Sequence, residues 1–255
     1  MREYRFSRTE LLFGKEGMYK LQKAFVTVVG LGAVGSYVVE ALVRSGVGHL
    51  RLIDFDVINI SNFNRQLYAL ENTIGQAKTK VAKERVLSIN PECNVEIQEC
   101  FFDGSQSANV FNPIPDVLID AIDSLSPKIE LLTSAYQFGV PVIISSMGAA
   151  TRTDPFCIRI GDISETKECP LAKFVRKRLK KRGIHNGIKC IFSLERKKKT
   201  DVINGQENKF KVLQEGCEYF NRGRKRKPLG SFACITGIFG LLAAREAIMS
   251  IINKQ

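Results

Sequence analysis

Residues 26–66 constrain what this chain can fold into more than any other stretch. Phe25-Val-Thr-Val-Val29 is a short, β-branched apolar run, the composition of a buried strand. Gly30-Leu-Gly-Ala-Val-Gly35 follows directly, then a helix-like apolar stretch over 34–43, then Leu50-Arg-Leu-Ile-Asp54, a second apolar run ending on an acid. Strand, glycine turn, helix, strand and acid in that order are the layout of a nucleotide-binding βαβ half. Gly30, Gly32 and Gly35 permit a tight turn and close backbone approach. The helix N-terminus offers free N–H groups and a positive dipole to phosphate, and Asp54 is placed to take a ribose hydroxyl pair.

A dinucleotide-binding redox enzyme would carry the same glycines, so the loop after Asp54 matters. Asp56 is followed by Asn62-Phe-Asn64-Arg65-Gln66, which puts amides and a guanidinium beside the expected phosphate site, and Lys78 comes on the next helix. Backbone amides suffice for the pyrophosphate of a redox cofactor. A reaction at a triphosphate needs cations as well, because charge moves as pyrophosphate leaves. Neither of the two histidines suits hydride transfer: His49 starts a strand and His185 lies in a glycine-flanked basic turn.

The rest of the chain continues an α/β pattern. Residues 11–24 read as an amphipathic helix, with Ser7 and Glu10 as its capping box. A helix over 76–90 is stopped by Pro91, a strand covers 94–99, and 103–112 is a short helix or loop. Asp116-Val-Leu-Ile-Asp120 is a buried parallel strand that delivers Asp120-Ala-Ile-Asp123 to the carboxyl edge of the sheet, where ligands of open α/β sheets bind. Asp123 there either caps the helix over 127–139, with Ser124, or faces phosphates and holds Mg²⁺. A strand over 141–144 runs into Ser145-Ser-Met-Gly-Ala-Ala150, small residues that leave room for a ligand or for close packing. Residues 161–169 read as a mobile polar crossing, 170–182 as a helix, 189–194 as a strand and 231–252 as the closing helix. The expected class is α/β, a Rossmann-like doubly wound and mostly parallel sheet.

Charge is localised. The chain carries +12, but residues 173–227 hold 19 Lys and Arg against 5 Asp and Glu, and the remainder holds 19 against 21. The helix over 170–182 contributes Lys173, Arg176, Lys177, Lys180, Lys181 and Arg182 beside an apolar stripe of Leu171, Phe174, Val175 and Leu179. Residues 195–227 lack periodicity and read as an exposed insertion with basic clusters at 197–199 and 222–227. A field confined to one segment points to a polyanion, nucleic acid first. The seven cysteines include no CxxC pair, which argues against a disulfide framework or a tetrathiolate zinc site and for a reducing, cytoplasmic setting. The first residues lack the apolar run of a signal peptide. The apolar segment over 229–244 is short for a membrane span and reads as a buried helix, so no stable membrane insertion is expected.

Taken together, Asn62-x-Asn64-Arg65-Gln66, Ile89-Asn-Pro-Glu-Cys93, Ile119-Asp-Ala-Ile-Asp123, Ser146-Met-Gly-Ala-Ala150 and the helix Pro170-Leu-Ala…Arg178-Leu-Lys180 resemble the ubiquitin-activating-enzyme-like adenylyltransferases, the ThiF and MoeB superfamily. Within it they are most similar to the tRNA threonylcarbamoyladenosine dehydratase family. The resemblance implies one ThiF-type adenylation domain over 1–255, with a nucleotide-binding core at about 24–150, a basic substrate-binding portion at 151–255 and a C-terminal extension of the ubiquitin-activating-enzyme type. It implies ATP-dependent cyclising dehydration of N6-threonylcarbamoyladenosine beside the tRNA anticodon, through an acyl-adenylate, with release of AMP and pyrophosphate.

By the same resemblance Gly30, Gly32 and Gly35 approach the nucleotide, Asp54 binds ribose, Asn62 and Arg65 hold phosphates, Gln66 supports their loop, Lys78 contacts phosphate oxygens and Asp123 holds Mg²⁺. Arg8 matches an arginine that reaches the partner subunit's triphosphate, which implies a homodimer. The family also leaves room for a monovalent cation near the site and for a sulfur-transfer partner protein. Two departures stand out. The zinc CxxC pairs of the sulfur-carrier activators are missing, and Cys169-Pro170 replaces the common Asp-Pro, which puts a thiol in the crossing loop. Alternative readings are adenylation of the C-terminal glycine of a ubiquitin-like sulfur carrier and non-catalytic tRNA binding.

Overall fold

The fold is described from a computed structural model, over residues 4–196 and 229–254. Seven strands form one sheet: β1 (Phe25–Val29), β2 (His49–Ile53), β3 (Asn94–Gln98), β4 (Val117–Asp120), β5 (Val142–Ser146), β6 (Ile158–Asp162) and β7 (Lys189–Ser193). Their spatial order is β3-β2-β1-β4-β5-β7-β6. All neighbours run parallel except β6, the edge strand, which pairs antiparallel with β7. The central strands β1 and β4 are buried along their whole length, which is why they read as uninterrupted apolar runs rather than as an alternation.

The helices are α1 (Ser7–Lys23), α2 (Gly35–Arg44), α3 (Lys78–Ile89), α4 (Ser107–Val110), α5 (Leu125–Gln137), α6 (Pro170–Lys180) and α7 (Ala233–Ile252). Two apolar cores cover the two faces of the sheet. One joins α1, α2, α3 and α7, with Leu21, Val38, Leu42 and Phe239 fully buried. The other joins α4, α5 and α6, with Leu132, Val175 and Leu179 at its centre. The sheet is therefore doubly wound. Helix α7 is the one helix among the described residues long and apolar enough to cross a membrane. It is packed inside the protein instead, with Ile235, Phe239, Ala243, Ala244 and Ala247 buried beside α2.

Topology locates the crevice. The chain runs outward from β1 through β2 to β3, then returns to place β4 on the other side of β1. Strand order thus reverses between β1 and β4, and the two connections leave a gap beyond their carboxyl ends, the place where open α/β sheets bind ligands.

Several local expectations differ in detail. Ser7 is the first residue of α1 rather than its cap. Its hydroxyl accepts the Tyr4 N–H at 2.8 Å, while Glu10 accepts the Tyr4 hydroxyl, so the capping box does not form. Gly14, at φ 73°, kinks α1. The crossing over 161–169 is a built element: the Asp162 carboxylate accepts the N–H groups of Ser164, Gly187 and Ile188, and Glu165 accepts that of Asp162. The insertion expected over 195–227 lies, beyond Arg196, outside the described residues.

Candidate active site

The glycine turn is shaped by contact with the strand-β4 connection. Gly30 has φ +91°, and a Cβ there would lie 2.8 Å from the carbonyl oxygen of Ala121. A Cβ on Gly35 would collide with the carbonyl oxygen of Gly30. Both positions exclude any side chain, and they let α2 start close against β1. Gly32 is different: its nearest neighbour is Gln66 Nε2, at 3.7 Å from the Cβ position. The protein itself has space for a side chain at Gly32, so the turn's second glycine is needed for something outside the fold.

Asp54, the residue just past β2, ties this turn to its own strand. Oδ2 accepts the N–H of Leu31 at 2.6 Å and Oδ1 that of Asp56 at 2.8 Å. Burial pushes its carboxyl above the usual range, and the Lys78 charge and the Leu31 N–H oppose that push. Each carboxylate oxygen keeps a further lone pair for a hydroxyl. Lys78 opens α3, is buried, and pairs with Asp56 at 2.9 Å. The lysine therefore reaches the crevice already restrained by an acid.

The loop over 62–66 closes the other side. Asn62 is buried and its Oδ1 accepts the Asn59 N–H, while its carbonyl accepts the N–H groups of Arg65 and Gln66. Asn62 and Gln66 thus hold the loop, and Gln66 also faces Gly32. Arg65 donates through Nη1 to the Ser61 carbonyl and to Asn64 Oδ1. Burial draws its guanidinium below the usual range and the charge of Asp123 acts in the opposite sense, so the pair share one locality. Asp123 itself is exposed at the end of β4. Ser124, not Asp123, occupies the N-cap position of α5, and it makes no side-chain cap bond.

Asp120 turns the other way. It is fully buried, with Oδ2 accepting from Lys128 and from Ser145. Lys128 also donates to the Ser146 carbonyl, so a completely buried ion pair bolts α5 to β4 and β5. Sequence reasoning did not single out Lys128. The available signal was a lysine in the first turn of a helix, eight residues after an acid at a strand end.

Arg8 is not brought to the crevice of its own chain. It is exposed on α1, lining a shallow groove of about 380 Å³ with Ala41, Ser45, Leu241 and Arg245. Ala41 and Ser45 lie on the later turns of α2, ~9 Å and ~15 Å along the helix from Gly35. Of the basic residues on and just after α6, Lys173, Lys177, Lys180 and Lys181 are exposed. Two arginines are engaged by the protein itself: the half-buried Arg176 donates to the Thr166 carbonyl at 2.7 Å, and the exposed Arg182 pairs with Glu130 and donates to Thr133. Cys169 is buried, its Sγ 3.6 Å from the Cβ position of Gly148.

A ThiF family model matches residues 6–255. The chain is 39% identical, over 98% of its length and 95% of the relative's, to tRNA threonylcarbamoyladenosine dehydratase of Bacillus subtilis. The Haemophilus influenzae dehydratase is 38% identical over 99% and 95%. The chain belongs to the ThiF family, and within it to the tRNA threonylcarbamoyladenosine dehydratases. The crystal structure of the Escherichia coli tRNA N6-threonylcarbamoyladenosine dehydratase in complex with ATP superposes with a TM-score of 0.81 at 32% identity, covering 97% of this chain and 93% of that one. The expected superfamily and the doubly wound fold are both borne out.

The E. coli protein in that complex binds ATP. At its own β1/β4 crevice the present chain places Gly32, whose Cβ position is open, the buried Asp54, and the cations Arg65 and Lys78. Among the described residues no three His, Cys, Asp or Glu side chains converge as a metal cage. The exposed Asp123 suits an ion such as Mg²⁺, which takes one or two carboxylates and completes its octahedron with phosphate oxygens and water.

Proposed function

We propose that this chain uses ATP to dehydrate N6-threonylcarbamoyladenosine in tRNA, and that the β1/β4 crevice is where it does so. The observation that carries the reading is the gathering of Arg65, Lys78 and an exposed Asp123 around the glycine turn, in a chain that matches dehydratases over nearly its whole length.

A carboxylate is a poor electrophile because hydroxide is a poor leaving group. Its oxygen attacks the α-phosphorus of ATP, the bond to pyrophosphate breaks, and an acyl-adenylate forms. A nucleophile within the same side chain then attacks the acyl carbon, and AMP leaves with the oxygen that a water would have carried. The second step is intramolecular, so held geometry can supply ~7–11 kcal/mol of its barrier. Asp54 takes the ribose, Gly30, Gly32 and Gly35 admit the phosphates, and Asn62 and Gln66 fix the loop. Arg65 and Lys78 offset charge as pyrophosphate departs. Lys78 arrives paired with Asp56, so its charge is in place before the nucleotide binds, the condition under which electrostatic stabilisation costs no reorganisation. Asp123 would hold Mg²⁺, which neutralises phosphate charge when bound.

The exposed lysines of α6 suit the tRNA backbone. The groove beside Arg8 suits a second copy of the chain. Leu11 and Leu12 stand 75% and 74% exposed on α1 beside the half-exposed Leu241, an apolar patch that a homodimer would cover while carrying Arg8 to the partner's nucleotide. The test is AMP release from labelled ATP with and without modified tRNA, followed by mass analysis of the nucleosides. AMP that depends on the modified tRNA, with loss of one water from the nucleoside, is the expected result. Pyrophosphate–ATP exchange with unchanged tRNA would redirect the search to a protein C-terminus.

A further inference from the structure

Arg152 is the largest fully buried side chain among the described residues, and it makes one long hydrogen bond. Nη2 donates to the Glu168 carbonyl at 3.3 Å, while Nε and Nη1 are buried without any acceptor. The Arg152 charge helps hold the Glu195 carboxyl below its usual range, but the hydrogen bonds that Glu195 accepts come from Thr153 and Asp154, so Nε and Nη1 stay unbonded at a cost in free energy. Lys128, Arg51 and Lys78, the other buried cations among the described residues, are each met by a carboxylate. The orphaning is particular to Arg152.

Its position gives the orphaned atoms a use. Arg152 follows β5 on the carboxyl edge of the sheet. Thr151 N–H donates to the Gly230 carbonyl, and the adjacent Ser231 carbonyl accepts from Asn64, the neighbour of Arg65. One short bridge therefore links the Arg152 loop to the loop that holds Arg65. On its other side, the Glu168 carbonyl that Arg152 touches precedes Cys169, the N-cap residue of the 11-residue helix α6, whose N-terminus no side chain caps. The guanidinium thus sits beside the positive end of α6, between the crevice and the helix that presents Lys173, Lys177 and Lys180. Thr151 and Glu168 are also the only non-glycine residues with left-handed backbone among those described, at φ 62° and 53°. The strain flanks this one side chain.

We infer that Arg152 and the N-terminus of α6 form an oxyanion receptor for the free carboxylate of the threonylcarbamoyl group, holding it for attack on ATP. The inference rests on the dehydratase reading above. That reaction requires an anion to lie between the RNA-binding face and the triphosphate, and the substrate's own carboxylate is the one that must travel there. On that reading Arg65 and Lys78 are already committed to the phosphates. Arg152 is on this account a positioning and selecting residue: it recognises the charge that distinguishes modified from unmodified tRNA.

The test compares binding of modified and unmodified tRNA to the parent, Arg152→Gln, Arg152→Met and Arg152→Lys proteins, with ATP affinity and urea stability measured alongside. The expected result is that Arg152→Gln and Arg152→Met lose about 10- to 100-fold of the preference for modified tRNA, the scale of one charge-assisted contact. Affinity for unmodified tRNA and for ATP stays at the parental value, and Arg152→Met is at least as stable as the parent. Arg152→Lys recovers part of the preference. Equal losses for both tRNAs would mean that a backbone phosphate is the ligand and would overturn the inference. Unchanged preference, or a variant series that fails to fold, would reduce Arg152 to a structural residue. AMP release by the parent with modified tRNA, run in parallel, separates failure of this inference from failure of the dehydratase reading itself.

Discussion

At the scale of single residues, the three glycines of one motif do different work, and substitution should separate them. Gly35→Ala drives a methyl group into the Gly30 carbonyl and should destabilise the protein by more than ~4 kcal/mol or prevent folding, as read by urea unfolding. Gly32→Ala meets only Gln66 at van der Waals distance, so it should fold normally and fail in ATP binding, as read by calorimetry. Loss of stability in Gly32→Ala with ATP affinity intact would contradict the assignment of that face to the nucleotide. Arg65→Ala should leave the fold in place, because the side chain donates only to Ser61 and Asn64 at the loop surface, while lowering the rate of adenylation by about 10²–10³-fold, ~3–4 kcal/mol. Pyrophosphate exchange at the parental rate would remove Arg65 from the mechanism.

At the scale of elements, α2 and α3 are joined by Glu40, which pairs with Arg85 of α3 and with Arg44 one turn along α2. Burial alone would raise its carboxyl, but the hydrogen bonds from Arg85 and Arg44 hold it below the usual range. A carboxyl lowered in the folded state stabilises above its unfolded value and loses that contribution as pH falls through the folded value. Glu40→Gln should therefore cost about 1 kcal/mol at pH 7, and its denaturation midpoint should converge with that of the parent below about pH 4. A gap that persists unchanged into acid would assign the loss to packing rather than charge. Helix α6 supports a second prediction. Replacing Lys173, Lys177 and Lys180 together by Ala should lower the slope of log affinity for tRNA against log salt by about two to three, near 0.7–0.9 per phosphate contact. Arg182→Ala should leave that slope alone and weaken the α5–α6 packing instead, since Arg182 is spent on Glu130 and Thr133.

At the scale of the whole molecule, one predicted site residue lies on the wrong side of its own subunit. Arg8 shares a groove with the far end of α2 and with α7, and it can serve a nucleotide only in a second copy. Subunit exchange tests this. Mixing inactive Arg8→Ala with inactive Arg65→Ala should restore about a quarter of parental activity, because half the dimers are mixed and each mixed dimer has one intact site. No recovery after verified exchange would exclude action across the interface.

Much of this was legible in the chain. The apolar runs that became β1, β2, β4 and β5 are buried on both faces, so their continuity reports depth directly. The glycine turn, Asp54 and the Asn62-to-Gln66 loop are contiguous or one crossover apart, and the βαβ geometry that unites them is nearly obligatory. What depended on tertiary structure was the fate of charges far apart in sequence. Composition marks Lys128 and Arg152 as surface residues like other cations, and only packing shows that one is neutralised by Asp120 and the other keeps two buried nitrogens without acceptors. Arg176 and Arg182 are likewise indistinguishable by type from the lysines beside them, and the partners that engage them, Thr166 and Glu130, come from other segments. Local pattern determined the strands, the helices and the place of the crevice, because burial and backbone geometry are written in neighbouring residues. Which charged side chains face that crevice, which hold the fold and which wait for a ligand was decided by the tertiary structure, because the free energy of a charge is set by what surrounds it in space.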